Sequence, residues 1–519
     1  MLVKFFRDYR LPILSGFLIG TSYIPFPPWA LSFALVPLWI FWTEQTSPKR
    51  IWWSGWVTQW LLTLIGFNWV AHTIHEFGQM PWPLAILGLA LYSGFASLHV
   101  PLAGLIWFYA KRFLGLTPGR SLLLLPAAFI VAEMSYPMIF DWHLGYPLLP
   151  TGWAGVHLAE WIGFKGLSAL VALVNGLLLW TYLNRKAKGP VFVGLGAVAG
   201  LLILCTVLGL WLKARVATPD SQASVLIVQA NIGNLEKIEQ ERTDDARATV
   251  LGRYLAQTEA ALTLGQPDFT VWPETAFPHL LDGSNIHTSP YAQQLIAFLQ
   301  RHKLNLMTGG YGWLEQTRQV LNSFYLIKSD GTLADQPYSK TWLLAFGEYL
   351  PGADWFPMLR EWLPQVGQFA RGLGPVALTL NGLKVGPMIC YEGLFDHFAR
   401  DLARQGAQVL VNITNDSWYG TWQQPYQHMY MTVARAIEVR RPVIRSTNTG
   451  ISTIALGSGE ILAQSPLHQE WHHLYDLKYE KSPRSTLFMG WGYYFSWMVV
   501  AGLIFAASWR RRFEGTKKS

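Results

Sequence analysis

Long apolar runs separated by short loops limit what this chain can fold into more than any other feature of its sequence. The runs fill most of residues 11–213 and return at 487–509, and only 14% of the 519 residues are charged, against about 25% in an average soluble domain. A helix needs about 20 apolar residues to cross the hydrocarbon core of a bilayer. The sequence therefore predicts a multi-pass α-helical membrane domain with spans near residues 11–24, 29–43, 52–74, 83–110, 121–135, 164–183, 190–212 and 487–509.

The segment between the seventh and the eighth span has the mixed polarity of a soluble domain. Short β-rich runs such as Val225–Val228 and Val409–Ile413 alternate there with helical stretches, which is typical of a layered α/β fold with buried strands. We therefore predict four regions. They are a transmembrane domain with about seven helices at 1–215, an α/β domain at 222–480, a C-terminal transmembrane helix at 487–509 and a basic tail at 510–519.

The distribution of Lys and Arg predicts the orientation of the chain. Positive charges occur at both termini and in alternate loops, whereas the loops near 24–28, 75–82 and 136–163 contain no Lys or Arg. By the positive-inside rule, both termini lie in the cytoplasm and residues 222–480 lie outside it. If one short run does not cross the membrane, this orientation reverses. The net charge of +8 reflects these loops, so we expect a membrane partner and no nucleic acid.

Three polar residues each follow a β-like run in the α/β segment. Cys390 follows the run 385–389, Glu274 follows 269–273, and Lys340 ends the stretch 337–340. A thiolate is a nucleophile, a carboxylate can accept its proton, and an ammonium can stabilise an oxyanion. Taken singly, each has a plainer interpretation. A Cys after a strand is often a buried small hydrophobe, a Glu after Pro often caps a helix, and a Lys in a loop is often solvated.

Other familiar chemistries have no signature in this chain. The second cysteine, Cys205, lies inside an apolar run, so a disulfide framework is not expected. There is no phosphate-binding loop, no H-E-x-x-H, no paired C-x-x-C and no G-x-S-x-G motif.

The stretches around the three polar residues resemble the signatures of the nitrilase, or carbon–nitrogen hydrolase, superfamily. The matching stretches are Val271–Thr275, Tyr338–Lys340 followed by Phe346–Tyr349, and Ile389–Glu392, and the stretch Asn415–Gly420 is similar as well. With seven spans before this segment and one after it, nearly the whole chain resembles the apolipoprotein N-acyltransferase family. That resemblance implies a nitrilase-like α-β-β-α sandwich in the bacterial inner membrane, with its catalytic domain on the periplasmic side.

The resemblance also implies roles for individual residues. Glu274 is the general base, Lys340 the oxyanion stabiliser and Cys390 the nucleophile, while supporting positions are matched by Glu348, Tyr391, Glu392 and Asn322. The implied reaction has two steps and needs no metal and no organic cofactor. Cys390 takes an acyl chain from a phospholipid as a thioester, and the α-amine of a diacylglyceryl-modified N-terminal cysteine on an apolipoprotein then takes it from the thioester. We expect the protein to act as a monomer.

One departure from the family pattern concerns a lipid-contact position. The family often shows Pro and then Lys-Trp after the stretch that corresponds to 228–232, whereas this chain has Gly233 and Lys237–Ile238. Whether Ile238 takes the place of a lipid-contact Trp therefore stays open.

Large apolar side chains crowd a Pro-interrupted stretch between Phe346 and Leu373. Apolar side chains of this size on an exposed loop usually mark an interaction surface, and we predict that this loop contacts lipid and admits acyl chains. The alternative is a loop folded onto its own core. The predicted lipid-access residues are Trp355, Phe356, Met358, Leu359 and Trp362, with a second cluster at Trp418 and Trp422.

Two rival functions fit parts of the sequence. One is a membrane-tethered nitrilase-type amidase, in which water replaces the amine and which needs neither seven spans nor an apolar loop. The other is a transporter or scaffold whose outer domain only binds. Charged groups inside the spans would favour a transporter, and the candidates are only Glu133 and His72.

Overall fold

A computed structural model describes residues 2–233, 243–281, 288–353, 355–362 and 367–509. The chain divides into two compact units, which we call the helical unit (Met1–Arg215 with Gly490–Ser519) and the α/β unit (Val216–Met489). The predicted basic tail at 510–519, the pair Lys237–Ile238 and the side chain of Trp362 lie outside the described residues.

The helical unit consists of short and long apolar helices. Proline often stands in the first turn, as at Pro48 and Pro118, where its missing N–H has no intrahelical partner to lose. The helices of the first 215 residues are α1 (Leu2–Asp8), α2 (Arg10–Gly20), α3 (Val36–Thr43), α4 (Pro48–Gly66), α5 (Trp69–Glu76), α6 (Trp82–Phe95), α7 (His99–Phe113), α8 (Pro118–Ser121), α9 (Leu124–Ser135), α10 (Ala159–Leu183) and α11 (Lys188–Ala214).

The α/β unit contains two mixed β-sheets. The first has the strand order β11-β1-β2-β3-β4-β5 and the second has the order β10-β9-β8-β7-β6. The strands are β1 (Ser221–Gln229), β2 (Phe269–Val271), β3 (Leu306–Leu314), β4 (Gln319–Ile327), β5 (Tyr338–Ser339), β6 (Leu378–Leu380), β7 (Leu383–Ile389), β8 (Val409–Thr414), β9 (Val443–Thr447), β10 (Thr453–Ala455) and β11 (Trp471–Tyr479).

Parallel pairing at the centre of each sheet brings strand ends together. Strands β1, β2 and β3 run parallel, and so do β7, β8 and β9. All six residues of β8 are buried, as expected for a parallel strand covered on both faces. Residues that follow β2, β7 and β8 therefore leave their sheets from the carboxyl ends of neighbouring strands.

Helices cover the outer faces of the two sheets. The covering helices are α12 (Asp244–Ala261), α13 (Pro290–His302), α15 (Asp396–Arg404) and α16 (Gln424–Val439), whereas the short α14 (Met358–Trp362) belongs to the Pro-interrupted segment beyond Glu348. Side chains of α12 and α13 form one apolar core with the first sheet, while α15 and α16 contact strands of the second. The order of layers is helix, sheet, sheet, helix, which confirms the predicted fold class.

Polar caps and anchors explain where α12 begins and how it is held. The hydroxyl of Thr243 accepts a hydrogen bond from the backbone N–H of Ala246 at 3.3 Å, and Asp244 and Asp245 occupy the first turn, where acidic groups favour a helix start. On the inner face, the indole N–H of Trp272 donates to the Thr258 hydroxyl at 3.0 Å. The residue two positions before Glu274 is thereby fixed in the core.

The last helix of the described chain is α17 (Phe495–Ser508). Among the described residues, four helical stretches are long and apolar enough to cross a membrane, namely Trp82–Phe113, Ala154–Leu183, Lys188–Ala214 and Trp491–Ser508. The other predicted spans correspond to shorter helices; the span at 52–74, for example, divides into α4 and α5. The count of eight spans stays a prediction.

The two intramembrane candidates for a transport role have ordinary local surroundings. Glu133 is buried within the helical unit, where its carboxylate accepts hydrogen bonds from the Ser168 hydroxyl at 2.6 and 2.8 Å and lies 3.5 Å from Nδ1 of His143. The ring of His72 lies 6.4 Å from that of Trp82. Glu133 is thus paired inside the helical unit, as a buried charge must be to persist in a folded protein.

Candidate active site

Cys390 stands where β7 ends and a short 3₁₀ turn, Cys390–Leu394, begins. Its backbone φ is +51°, in the left-handed region that residues other than glycine seldom adopt. The side chain is 7% exposed. The end of the buried strand β7 therefore carries a strained bend at Cys390.

Lys340 follows the two-residue edge strand β5 and is 1% exposed. Its backbone N–H donates to the carbonyl of Asn322 at 2.8 Å, and its own carbonyl accepts from Gly372 at 2.8 Å. The ammonium lies 2.7 Å from Oε1 of Glu348 and 3.4 Å from Oε1 of Glu274. Lys340 is therefore a buried cation held between two carboxylates, and the solvated-loop interpretation is wrong.

Glu274 follows β2 and is 6% exposed. One carboxylate oxygen accepts from the Asn322 amide at 2.7 Å, and the other accepts from the backbone N–H of Asn415 at 2.9 Å. The adjacent backbone passes so close to Gly309 that a Cβ there would stand 2.7 Å from the Cα of Glu274. The absence of a side chain at Gly309 permits this close approach. Together with the Lys340 ammonium, the two donors make three groups that orient Glu274. Glu274 does not cap a helix.

Glu348 and Asn322 connect the other two groups. Oε2 of Glu348 accepts from the backbone N–H of Leu344 at 2.8 Å, and the Asn322 amide also lies 3.3 Å from Oε1 of Glu348. These two of the four predicted supporting side chains are therefore in contact with Lys340 or Glu274. They hold the two carboxylates and the ammonium in one hydrogen-bonded network.

Glu392 supports the site in a different way. Its carboxylate accepts from the Tyr338 hydroxyl at 2.6 Å and from the backbone N–H groups of Thr341, Ile389 and Trp342 at 2.7, 2.8 and 3.1 Å. Burial raises the pKa of Glu392 to about 7, and these donors oppose the rise. Glu392 thereby ties the backbone beside Lys340 to the backbone beside Cys390.

Tyr391, the remaining predicted supporting residue, is buried. Its ring packs edge-on against the ring of Phe395 with a centroid distance of 4.8 Å. That contact fastens the 3₁₀ turn that carries Cys390.

The charges of this network act on the thiol. The pKa of Cys390 is raised to about 12: burial is the largest cause, the Glu274 carboxylate also raises it, and the Lys340 ammonium lowers it. Burial opposes the charge on Lys340, but Glu348, Glu274 and Cys390 together hold its pKa well above the usual value. At neutral pH the resting site therefore contains a neutral thiol and a positive ammonium.

Apolar side chains are exposed on the segment beyond Glu348. Trp355 is 83% exposed, Phe356 60% and Met358 51%, while Leu359 is half-buried. In the second predicted cluster, Trp422 is 52% exposed and Trp418 is half-buried. Trp355, Phe356 and Met358 are not core residues of the unit, so the alternative of a loop folded onto its own core is wrong for them.

The structure also shows a buried charged cluster that the sequence did not predict. Asp416, His428 and Arg445 meet within hydrogen-bond distance behind Cys390. A signal was present, since Arg445 places a charge in the apolar strand β9 and Asp416 belongs to the stretch Asn415–Gly420. Nothing in the sequence spacing connects them, because they come from three different elements.

The described part of the chain contains no candidate metal site. In the residues that the structure describes, no group of three or more His, Cys, Asp or Glu side chains is placed to hold a metal ion. The absence of a cofactor stays an expectation.

Comparisons with known proteins define the class of each unit. The carbon–nitrogen hydrolase family matches residues 225–475, and the apolipoprotein N-acyltransferase N-terminal domain matches residues 15–177. Solved structures similar to this chain include a carbon–nitrogen hydrolase from Helicobacter pylori G27 (16% identity, TM-score 0.37, covering 57% of this chain and 95% of that one) and an amidase from Nesterenkonia sp. (17% identity, TM-score 0.35, covering 50% and 91%). The α/β unit is a carbon–nitrogen hydrolase domain.

Relatives along the whole chain identify the family. An apolipoprotein N-acyltransferase from Bdellovibrio bacteriovorus is 43% identical over 95% of this chain and 92% of its own length, and one from Geobacter metallireducens is 29% identical over 98% and 96%. The chain belongs to the apolipoprotein N-acyltransferase family. This confirms the family, the fold class and the acyltransferase function that the sequence predicted.

Proposed function

We propose that this chain transfers an acyl group from a phospholipid to the N-terminal amine of diacylglyceryl apolipoproteins through a thioester on Cys390. The observation that carries the proposal is the buried network in which the Lys340 ammonium contacts the carboxylates of Glu274 and Glu348 and all of these charges act on the Cys390 thiol. A neutral nucleophile, a base and a fixed cation are the groups that acyl transfer needs.

In the first step, Cys390 takes an acyl chain. Glu274 accepts the thiol proton as sulfur attacks the ester carbonyl of the phospholipid, and the resulting tetrahedral oxyanion is stabilised by the Lys340 ammonium. When the C–O bond breaks, Glu274 returns the proton to the departing alkoxide. A thioester and a lysophospholipid result, and the carboxylate is ready again.

In the second step, the acceptor amine takes the acyl chain from sulfur. The amine nitrogen attacks the thioester carbonyl, Glu274 accepts a proton from nitrogen, and Lys340 again stabilises the oxyanion. The C–S bond then breaks and Glu274 returns the proton to sulfur. The products are an amide on the lipoprotein and the free Cys390 thiol, so the cycle needs no external acid or base.

Glu348, Asn322 and Glu392 keep these groups in register. Glu348 holds the Lys340 ammonium at 2.7 Å, and Asn322 orients Glu274 with a hydrogen bond of 2.7 Å. Glu392 joins the two backbone segments that carry Lys340 and Cys390. Fixed geometry of this kind lowers the barrier because little reorganisation is needed when charge develops.

The placement in the cell follows from the charge pattern of the loops. We propose that residues 222–480 lie on the periplasmic side of the inner membrane, that both termini are cytoplasmic, and that the protein acts as a monomer. The exposed side chains of Trp355, Phe356 and Met358 then serve as the route by which acyl chains reach Cys390.

The decisive experiment detects the acyl group on the enzyme. Purified protein is incubated with phospholipid without acceptor, and its intact mass is measured. We expect one added acyl chain in the unchanged protein and in Cys205→Ala, and none in Cys390→Ala. An acyl adduct on Cys390→Ala would refute the assignment. Adding a diacylglyceryl peptide should then yield N-acylated peptide; release of only free fatty acid would favour the amidase, and absence of any adduct the binding scaffold.

A further inference from the structure

A closed cluster of charges lies behind the proposed nucleophile. Oδ2 of Asp416 lies 2.6 Å from Nη2 of Arg445, and Oδ1 of Asp416 lies 2.8 Å from Nδ1 of His428. All three side chains are almost completely buried. Asp416 directly follows Asn415, whose backbone N–H holds Glu274, so the cluster adjoins the site on the side of the second sheet.

Two of the connections from this cluster end on the carbonyl oxygen of Cys390. Nε2 of His428 lies 3.3 Å from that oxygen, and the Asn412 amide donates to it at 3.1 Å and to the Met388 carbonyl at 3.1 Å. Nδ1 of His428 thus faces the Asp416 carboxylate, with the side-chain amide nitrogen of Gln424 3.5 Å away, while Nε2 faces the Cys390 carbonyl. The oxygen is held from two directions.

The charged pair also orients the other donors. Nη1 of Arg445 donates to Oδ1 of Asn412 at 2.7 Å, which fixes the amide so that its N–H₂ points to Cys390. The Thr414 hydroxyl donates to Oδ1 of Asp416 at 3.4 Å. Asp416 and Arg445 therefore reach the backbone of Cys390 through His428 and Asn412.

We propose that Asp416 and Arg445, acting through His428 and Asn412, are positioning residues that hold Cys390 in its left-handed backbone conformation. The inference rests on the proposed function, since it matters only if Cys390 is the nucleophile. A φ of +51° is costly for a residue with a side chain, and it persists only where surrounding contacts determine it. Two donors on the same carbonyl supply that restraint and aim the sulfur.

The alternative is a cluster that only stabilises the fold. Removing Asp416 alone would leave a buried guanidinium without its counter-charge, which is strongly destabilising, so Asp416→Asn is expected to impair folding and does not separate the two roles. His428 and Arg445 offer milder substitutions. His428→Gln keeps an N–H donor toward the Cys390 carbonyl, His428→Leu removes it, and Arg445→Lys keeps the charge but loses the paired geometry.

The chain contains a matched control for Arg445. Arg441 is also buried, but its guanidinium donates to the backbone carbonyls of Ala407, Val439, Arg484 and Pro483. Arg441→Lys therefore disturbs a buried arginine of the same unit without touching the support of Cys390. The pair of Arg→Lys variants separates the positioning role from a general loss of buried hydrogen bonds.

The test measures single-turnover acylation of Cys390 in the full-length protein with a Cys205→Ala background. The protein is mixed with saturating phospholipid, and intact mass at successive times gives the rate constant and the final acylated fraction. We expect His428→Leu and Arg445→Lys to lower the rate constant about tenfold or more, as the loss of a buried hydrogen bond predicts, with an unchanged final fraction. His428→Gln should recover most of the rate, and Arg441→Lys should keep it.

Three results would overturn the inference. They are an unchanged rate constant in both His428→Leu and Arg445→Lys, a loss confined to the final acylated fraction, which would indicate misfolded protein, and equal slowing by Arg441→Lys. If the unchanged protein forms no adduct, the proposed function fails first and this inference with it.

Discussion

At the scale of single residues, the main feature of this site is a thiol that burial keeps protonated. The pKa of Cys390 is raised to about 12, by burial first and by Glu274 second. For a cysteine of ordinary pKa, the reactive thiolate is already abundant near pH 8.5, but for Cys390 it is not. In the proposed mechanism, Glu274 therefore removes the proton as the C–S bond forms, even though its negative charge disfavours the thiolate.

The pH dependence of Cys390 alkylation tests this electrostatic description. In a Cys205→Ala background, the rate of reaction with iodoacetamide should keep rising between pH 7 and pH 10, because only the thiolate reacts and its pKa lies above that interval. Glu274→Gln removes a negative charge, so its curve should shift to lower pH. Lys340→Met removes a positive charge, so its curve should shift to higher pH. A plateau near pH 8.5 in the unchanged protein would contradict the raised pKa.

The same two substitutions should both damage catalysis. Glu274→Gln removes the base and should block thioester formation, although it makes the thiol easier to ionise. Lys340→Met removes the oxyanion partner and should lower the acylation rate by about 10²–10³-fold, as for other lost oxyanion donors. Rates from intact-mass kinetics check both, and circular dichroism serves as the control for folding. Near-normal turnover in either variant would remove that residue from the mechanism.

At the scale of elements, the site is assembled by loops that leave two sheets. Glu274 follows β2 and Lys340 follows β5 of the first sheet, whereas Cys390 follows β7 of the second. Contacts across the two sheets, such as the hydrogen bond from the backbone N–H of Asn231 to the carbonyl of Asn448 at 3.1 Å, fix their register. The sheets thus position the candidate catalytic residues, while the Pro-interrupted segment beyond Glu348 exposes Trp355, Phe356 and Met358.

The exposed aromatic residues of that segment should distinguish lipid from soluble donors. Changing Trp355 and Phe356 together to Ser should strongly reduce acylation of Cys390 by bilayer phospholipid, because these side chains are 83% and 60% exposed and lie beyond the charged network. Acylation by a small water-soluble thioester should be largely unaffected. Leu264→Ser, at an apolar residue 55% exposed elsewhere in the unit, is the control. Equal loss with both donors and a lowered melting temperature would mean that the pair serves the fold.

At the scale of the whole molecule, the orientation of the chain in the membrane determines on which side the site lies. Lys and Arg cluster in alternate loops of the helical unit, and acyl transfer to exported lipoproteins is consistent with a periplasmic α/β unit. Within the helical unit, the buried carboxylate of Glu133 contacts His143 and Ser168. That position therefore offers no free charge for transport.

Reporter fusions test the orientation directly. Alkaline phosphatase, which is active only in the periplasm, should be active when fused after Gln222 and inactive when fused after Lys186. A reporter that is active only in the cytoplasm should give the reverse pattern at both positions. If both reporters show the opposite pattern, one of the short apolar runs does not cross the membrane.

Much of the molecule could be read from local sequence patterns. Apolar length fixed the helical unit, β-rich runs located β1, β7 and β8, and residues that end such runs identified Glu274, Lys340 and Cys390. Strands β6 and β11 were not predicted. Strand β11 is half-exposed and polar, and it is a strand because all nine of its residues pair with β1. Pairing with β1 makes this segment a strand, and the local sequence pattern of β11 does not reveal that pairing.

The sequence by itself determined which residues are chemically capable, because residue type and the end of a buried strand are local properties. Only the tertiary structure decided which of them meet. Glu348 and Asn322 close on Lys340, while Asp416 and Arg445, 29 positions apart, form a pair behind Cys390. Burial raises the pKa of the Cys390 thiol, and packing brings carboxylates to the Lys340 ammonium. Both effects arise from contacts between distant segments, and no single stretch of sequence encodes them.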